Sequence, residues 1–269
     1  MKMKKIVFYI THKTLELEHA ELTFGSFERQ NCDKSFDTLY IYNSHENELP
    51  NETLLQLAKK YNLKKFFNNI EIFPYDILTH KSLGGDINSI KEFSKNNFNS
   101  DDRILIVKSD SILSVNFFDD VLNKLPNTGP VYFVAPFICA KKRVPNEQII
   151  EYSKRTSYIP SDDITFFVED QNQSDDTDFK NRSEISVTSE KILFTSCYVI
   201  RDFSCHFLSV SLLDQIRISN QSWGGVWFSN LSPYFIPTNR SFVIHKYHDI
   251  VSENRQTDRE GPVKDWLNS

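Results

Sequence analysis

Apolar residues occur in short runs that alternate with helical patterns through the first half of the chain. Runs of aliphatic and aromatic residues predict strands at residues 5–11, 36–42, 66–73 and 104–107. Apolar positions with helical spacing predict helices at residues 15–31 and 52–61, and a third helix that follows Gly84-Gly85 and ends at Phe98. Strands and helices that alternate in this way indicate a sheet with parallel strands and helices on its faces.

The second half has further strands separated by longer irregular segments. We predict strands at residues 131–137, 192–200 and 241–244, and a short helix at residues 208–216. Residues 157–189 are strongly polar and acidic, and we expect a long excursion that covers a binding site. The predicted fold class is α/β, with a Rossmann-like mixed sheet flanked by helices in a single domain of residues 1–269.

Composition and charge exclude several classes of protein. The chain has 269 residues, of which 39% are hydrophobic, enough for one substantial core. Its net charge of -5 gives no support to nucleic-acid binding. The first apolar run covers only residues 6–10, too short for the core of a signal peptide or for a membrane span. We expect a cytoplasmic protein with no transmembrane segment, whose four cysteines are free thiols.

The strongest candidate for chemistry is the tripeptide Ser109-Asp110-Ser111. It follows Lys108 and the unbroken aliphatic run of residues 104–107, which suits a strand covered on both faces. Open α/β sheets bind ligands just past the carboxyl ends of such strands. The alternative is that Asp110 and Ser111 only cap a turn.

Other polar residues are predicted at the same edge of the sheet. Thr11 follows the first strand and Asn43 follows the second, while Asn88 lies just after the glycine pair that precedes a helix. Two glycines at a helix amino end allow the backbone to approach an anion closely. A plain turn and a simple loop are the alternatives for Asn43 and for the glycines.

Trp223-Gly224-Gly225 is a candidate platform for a sugar ring, because a flat indole face packs well against the apolar face of a pyranose. The alternative is that Trp223 is an ordinary core aromatic residue.

The segment around Asp110 resembles the DxD region of GT-A fold nucleotide-sugar glycosyltransferases, especially glycosyltransferase family two. Asp110 matches the second aspartate of the motif, and Lys108 stands in the place of the first. The resemblance implies a nucleotide-binding half at residues 1–125 and an acceptor-binding half at residues 126–269. It also implies that Asp110 ligates a metal ion and that Ser109 and Ser111 hold ribose or water.

The same resemblance implies roles for the other residues of this edge. Thr11 and Asn43 would hold the base and ribose, and Lys108 would contact phosphate. Asn88 occupies the matching place in the helix before the motif, and Trp223, Gly224 and Gly225 would contact the acceptor.

The end of the chain resembles the chondroitin-polymerase kind of these enzymes. Residues 253–260 read Glu-Asn-Arg-Gln-Thr-Asp-Arg-Glu, close to the tail of that family. The resemblance implies that a histidine after the last strand completes the metal shell. Either His245 or His248 fits, with His248 preferred, and Arg255 and Arg259 would close over the diphosphate.

We therefore expect a metal-assisted glycosyltransferase, either hexosyl- or pentosyltransferase. It would move a sugar from a nucleoside-diphosphate sugar, with a UDP-sugar favoured, to a glycan or other acceptor. Mn²⁺ or Mg²⁺ suits a shell of carboxylate, imidazole and phosphate. The catalytic base is open, with Asp162, Asp202 and Asp214 as candidates.

The sequence leaves two alternative functions. A GT-A-like protein that binds a nucleotide or glycan without turnover is the main alternative, favoured by Lys108 and by Val226 after the Trp-Gly-Gly sequence, where an acidic residue is expected. A sugar nucleotidylyltransferase fits less well, because Thr11-His12-Lys13 lacks the glycine-rich signature that such enzymes carry after the first strand.

Overall fold

The structure is a computed structural model. It describes residues 2–11, 16–43, 49–74, 83–109, 111–135, 137–140, 144–157, 199–200, 205–215, 217–218, 226–227, 235–237 and 240–246.

The strands and helices of this part of the chain are numbered in chain order. The strands are β1 (Lys5–Ile10), β2 (Phe36–Tyr42), β3 (Phe67–Ile72), β4 (Arg103–Lys108), β5 (Ser111–Leu113), β6 (Tyr132–Val134), β7 (Phe137–Ala140), β8 (Val199–Ile200), β9 (Cys205–Ser209), β10 (Arg217–Ile218), β11 (Val226–Trp227), β12 (Phe235–Pro237) and β13 (Val243–Lys246). The helices are α1 (Glu16–Glu28), α2 (Asn51–Lys60), α3 (Leu83–Asn97), α4 (Phe117–Asp119), α5 (Asn146–Ser153) and α6 (Val210–Gln215). A short 3₁₀ helix spans Leu63–Lys65, and α4 continues into a π-type turn at Asp120–Lys124.

The main sheet has seven strands in the spatial order β12, β6, β9, β4, β1, β2, β3. Strands β1 to β4 run parallel to one another, whereas β9 is antiparallel to both β4 and β6. The sheet is therefore mixed, as the sequence predicts. The helix between β3 and β4 carries the chain from the edge of the sheet back to its centre, so β4 pairs with β1.

Two hydrophobic layers cover the two faces of this sheet. Alternate residues of β1 pack into the two layers, because successive side chains of a strand point to opposite faces of the sheet. Val7 and Tyr9 pack in the layer that includes α1 and α2, and Ile6, Phe8 and Ile10 pack in the layer that includes α3 and α6. This double coverage explains why all six residues of β4 are buried.

A small second sheet lies beside the main one, in the order β5, β13, β7. Strand β13 is antiparallel to β5 and parallel to β7. The apolar residues Leu22 of α1 and Ile149 of α5 pack against Ile112 and Ile244 in this sheet. The last described strand of the chain is thereby brought beside the segment that follows β4.

Most predicted elements are present, with several differences. The prediction that the third helix follows Gly84-Gly85 is wrong, because α3 begins at Leu83 and both glycines lie inside its first turn. Strands β5, β10, β11 and β12 were not predicted. The strand predicted at residues 131–137 is two strands, β6 and β7, which belong to different sheets because the chain leaves the main sheet between them. The helix predicted at residues 208–216 begins at Val210, and Leu208 and Ser209 are the end of β9, a strand that was not predicted. The apolar run continues from this strand into the helix, so hydrophobicity does not mark the boundary.

Two further predictions concern residues 157–189 and 192–200, most of which lie outside the described residues. Residues 158–189 of the acidic excursion lie outside the described residues, and only Val199–Ile200 of the strand predicted at residues 192–200 is described. Within the described part of the chain, no helix combines the length and apolar character needed to cross a membrane.

Candidate active site

The carboxyl ends of β1 and β4 lie side by side and form the base of the candidate site. Ile10 is paired with Lys108, and the backbone N–H of Ser109 donates to the carbonyl of Ile10 at 2.9 Å. Strand β2 lies on the other side of β1, so the chain departs from this point in two directions along the sheet. A crevice for ligands is expected at such a switch point in an open α/β sheet.

The residues on either side of Asp110 are buried. Lys108 is 7% exposed, and Ser109 and Ser111 are fully buried. The hydroxyl oxygen of Ser109 has no hydrogen-bond partner in the described structure. Leaving a buried hydroxyl unsatisfied costs about 1–3 kcal/mol, so this oxygen is ready for a ligand or water that reaches it.

The ladder between β5 and β13 brings the end of the chain to this place. Its register pairs Leu113 with Val243, Ile112 with Ile244 and Ser111 with His245. His245 therefore lies opposite the residue that follows Asp110. The structure describes the backbone of His245, and its side chain lies outside the description.

A polar row on α1 holds the segment that follows β4. The Thr23 hydroxyl lies 2.6 Å from the carbonyl oxygen of Ser109 and 3.0 Å from that of Ser111. The Ser26 hydroxyl accepts the N–H of Leu113 at 3.1 Å. Each of these polar side chains thus fixes the backbone of the segment rather than facing water.

Gln30 lies two residues past the end of α1 and holds the same segment. Its side-chain amide donates to the carbonyl of Ser114 at 2.8 Å, and its amide oxygen accepts the N–H of Phe118 at 2.8 Å. Thr23 and Ser26 are neighbours on one face of α1, as residues three positions apart on a helix are, and Gln30 adds a third contact from just beyond the helix end.

A second polar cluster anchors β13 to the helices. Lys246 lies 2.7 Å from a carboxylate oxygen of Glu18 on α1, and it also contacts the amide oxygen of Asn146 at the start of α5. The Asn146 amide donates to the same carboxylate at 2.6 Å. Hydrogen bonds from Asn146 and Lys246 hold the pKa of Glu18 below its usual range.

Thr11 and Asn43 meet at the ends of β1 and β2, as the parallel strands require. The Thr11 hydroxyl donates to the side-chain oxygen of Asn43 at 3.2 Å. The Asn43 amide donates to the carbonyl of Leu49 at 2.8 Å and to the side chain of Asn51 at 2.9 Å. Both amide hydrogens of Asn43 therefore serve the loop that leads into α2.

Asp86 is a buried carboxyl that our sequence reasoning did not select. It lies in the first turn of α3, 6% exposed, and its Oδ1 atom has no hydrogen-bond partner in the described structure. Burial raises the pKa of Asp86 to about 7, and hydrogen bonding by the neighbouring Tyr42 hydroxyl opposes the shift. Aspartate is common in the first turn of a helix, because its negative charge interacts favourably with the helix dipole there. Its position in the sequence therefore gave no signal of burial.

The predicted residues Asn88 and Asp214 lie on two different helices. Asn88 is on α3, half-buried, within its second turn. Asp214 is exposed on α6 and lies 3.6 Å from Lys95. Because β9 is antiparallel to β4, with Ser209 paired to Arg103, α6 begins at the amino edge of β4, at the opposite end from Ser109. The structure does not bring Asp214 together with the other candidates.

Several predicted site residues lie outside the described part of the chain. They are Asp110, Asp162, Asp202, Trp223, Gly224, Gly225, His248, Arg255 and Arg259. Among the residues that are described, no three His, Cys, Asp or Glu side chains form a cluster that could hold a metal ion. The pairing of Ser111 with His245 places the segment that follows β4 beside the strand that carries His245.

Comparisons with known proteins point to one class of fold. No protein-family model matches the chain, and no curated protein sequence does. Among solved structures, GalNAc-T7 with UDP, GalNAc and Mn²⁺ matches at 10% identity over 91% of this chain and 44% of that chain, with a TM-score of 0.50. TarS of S. aureus in complex with UDP-GlcNAc matches at 11% identity over 92% and 59%, with a TM-score of 0.44. GlyE of Streptococcus pneumoniae matches at 18% identity over 50% and 30%, with a TM-score of 0.32.

The likeness to GalNAc-T7 shows the fold. This chain has the GT-A fold of glycosyltransferases, a single α/β domain with a mixed sheet and flanking helices. The chain spans less than two thirds of the length of each of the three structures named above. The expected GT-A fold is therefore confirmed, while the resemblance to family two and to the chondroitin-polymerase kind stays a prediction.

Proposed function

We propose that this protein is a glycosyltransferase that moves a sugar from a nucleoside-diphosphate sugar, most simply a UDP-sugar, to a glycan or other acceptor. The observation that carries the proposal is the register of β5 and β13, which sets His245 opposite Ser111 at the carboxyl end of β4. The paired carboxyl ends of β1 and β4 lie next to this point, and the region just beyond them is the expected place for a nucleotide.

A divalent ion, Mn²⁺ or Mg²⁺, would be held by Asp110 and by His245 or His248, and it would supply Lewis-acid stabilisation of the departing diphosphate. His245 lies in β13, opposite the residue that follows Asp110, so we take it as the first candidate and keep His248 as the alternative. Lys108 adds positive charge at the end of β4 and would contact phosphate. Arg255 and Arg259 would close over the diphosphate.

The remaining roles follow from position at the same edge. Thr11 and Asn43 would line the pocket for base and ribose, with backbone groups making the contacts that the occupied Asn43 amide cannot make. Ser109 and Ser111 would serve ribose or water, and Asn88 would act from α3. Trp223, Gly224 and Gly225 would contact the acceptor. Asp162 and Asp202 are the candidates for the catalytic base, and Asp214 is left out because of its place at the opposite edge.

The neighbouring structures support the choice of ligands. GalNAc-T7, which has the same fold, was solved with UDP, GalNAc and Mn²⁺. A nucleotide and a divalent ion bound to this fold are what the proposed site requires.

A second candidate function is binding of a nucleotide or glycan without turnover. Lys108 stands where the motif of the resembling enzymes has its first aspartate, and Val226 stands where an acidic residue is expected. A lysine ammonium near the diphosphate would favour binding through charge, and loss of the acid would remove a base.

Release of UDP from a panel of UDP-sugars, with Mn²⁺ and with and without added glycans, distinguishes the two. We expect metal-dependent hydrolysis by the wild type and its loss in Asp110→Asn. The matched control is Asp214→Asn, which removes an exposed carboxylate at the other edge and leaves the rate unchanged. Nucleotide binding without any hydrolysis or transfer would favour the second function.

A further inference from the structure

Thr23 connects α1 to both sides of Asp110. Its side chain is fully buried, and its hydroxyl oxygen lies 2.6 Å from the carbonyl oxygen of Ser109 and 3.0 Å from that of Ser111. Its one hydroxyl hydrogen is shared between these two acceptors, of which the Ser109 carbonyl is the nearer. We propose that Thr23 is a positioning residue, which fixes the backbone on either side of Asp110 so that its carboxylate can hold the metal ion. The inference rests on the proposed function.

The Ser109 carbonyl belongs to the peptide bond that joins residues 109 and 110, and the Ser111 carbonyl to the bond that joins residues 111 and 112. Holding both carbonyls therefore restricts the backbone on either side of the segment. The other ends of the segment are also fixed. The Ser109 N–H donates to Ile10 in β1, and Ser111 is paired with His245 in β13. A hydroxyl that bridges both carbonyls therefore links β4, β5 and α1 at the residue on which the proposed metal site depends.

An apolar side chain at this position would remove the donor that Thr23 supplies to the Ser109 carbonyl. The Ser109 carbonyl precedes Asp110 directly. Loss of its partner frees the peptide plane to turn, and a small rotation of that plane moves the carboxylate. Partners that orient a metal ligand from outside the first shell typically change metal affinity by about 10- to 100-fold when removed.

The chain offers a matched control on the same helix. The Ser26 hydroxyl is fully buried, donates to the Thr23 carbonyl at 2.6 Å and accepts from Leu113 at 3.1 Å. It stabilises the same segment, but its contact lies further from Asp110. Ser26→Ala should therefore lower stability without moving the metal ligand.

Mn²⁺ binding in the presence of UDP, measured from the electron paramagnetic resonance signal of free Mn²⁺, tests the proposal directly. The set comprises wild type, Thr23→Val, Thr23→Ser and Ser26→Ala, each with its thermal unfolding curve. We expect Thr23→Val to weaken Mn²⁺ binding about tenfold or more, and Thr23→Ser to regain nearly all of it, because serine keeps the hydroxyl. Ser26→Ala should unfold at a lower temperature and bind Mn²⁺ like the wild type.

Unchanged Mn²⁺ affinity in Thr23→Val, or an equal loss in Ser26→Ala, would overturn the positioning role. If the valine variant does not fold, Thr23→Cys takes its place, since a thiol is only a weak donor. An affinity equal to that of the wild type in the cysteine variant would likewise overturn the role. A wild type that binds no Mn²⁺ with any nucleoside diphosphate would overturn the proposed function as well, so the two failures are distinguishable.

Discussion

His245 lies opposite Ser111 in the ladder of β5 and β13, although the two residues are far apart in the sequence. This pairing brings the last described strand to the residue beside Asp110. We expect His245→Ala to weaken Mn²⁺-dependent UDP binding by more than about tenfold, because loss of a direct ligand should cost more than loss of a residue that only orients a ligand. His248→Ala is the matched control and should weaken it less. Titration with Mn²⁺ at fixed UDP measures both, and a larger loss in His248→Ala would assign the ligand role to that residue instead.

The raised pKa of Asp86 predicts how the free energy of unfolding depends on pH. Its pKa is raised from 3.8 to about 7, so the folded state keeps a proton that the unfolded state releases between these values. Stability is therefore lost as pH rises through this range, at about 1.4 kcal/mol per pH unit for this group. In Asp86→Asn the loss is absent.

Urea unfolding of wild type and Asp86→Asn across this pH range measures the effect. The stability of the asparagine variant relative to wild type should rise with pH until about pH 7 and then stay constant. A difference that does not change with pH would contradict the raised pKa of Asp86.

Arg103 is a buried cation at the amino end of β4, 1% exposed. Its guanidinium donates to the carbonyls of Asp101 at 2.9 Å, Pro126 at 3.1 Å and Gly129 at 2.8 Å. Arg103→Met leaves these carbonyls without their donor, and we expect a loss of about 3 kcal/mol in the free energy of unfolding. Arg103→Lys should recover little of it, because lysine lacks the planar fork. Urea unfolding measures the loss, and a change below about 1 kcal/mol would refute this account.

Phe118 is the centre of an aromatic cluster beneath the sheet. Its ring centroid lies 5.4 Å from that of Phe27, 4.9 Å from Phe36, 5.6 Å from Phe66 and 5.9 Å from Phe67. Phe118→Ala should lower the free energy of unfolding by about 3–5 kcal/mol, since a fully buried ring leaves a cavity. Phe118→Leu is the control and should cost much less. Equal losses in the free energy of unfolding for Phe118→Ala and Phe118→Leu, measured by denaturant unfolding, would contradict this prediction. They would mean that the cluster closes around alanine and leaves no cavity.

A substitution of Asp214 tests whether this residue is correctly left out as the catalytic base. Its ion pair with Lys95 is 3.6 Å long and joins two exposed side chains, so its contribution to stability is small. Asp214→Ala should leave transfer and UDP release unchanged and shift the free energy of unfolding by less than about 0.5 kcal/mol. A strong loss of activity with an unchanged melting temperature would return Asp214 to the list of catalytic candidates.

The parallel half of the fold could be predicted because its signals are local. Strand β2 is bounded by Ser35 and Asn43, so its apolar run has clear ends, and the predicted range matches the structure. The order of strands and helices also predicts that residues after β1 and β4 share an edge. The carboxyl-edge position of Thr11 and Ser109 followed from that order alone.

The features that give the site its geometry are not local. The pairing of His245 with Ser111 joins distant segments, and no periodicity in either strand specifies the partner. Thr23 and Ser26 form a polar stripe that a sequence cannot distinguish from a solvated face, whereas in the structure both are buried against backbone. The burial of Asp86 likewise depends on how α3 packs beside Tyr42.

The most direct test of the proposed function is a thermal-shift screen of nucleoside diphosphates and their sugars, with and without Mn²⁺, on wild type and Asp110→Ala. A ligand that binds only the folded state raises its melting temperature by mass action. We expect UDP or a UDP-sugar to raise the melting temperature of the wild type in the presence of Mn²⁺ and to have no effect on Asp110→Ala. No rise with any nucleotide, or a metal-independent rise that survives in Asp110→Ala, would contradict the metal-assisted site proposed at the end of β4.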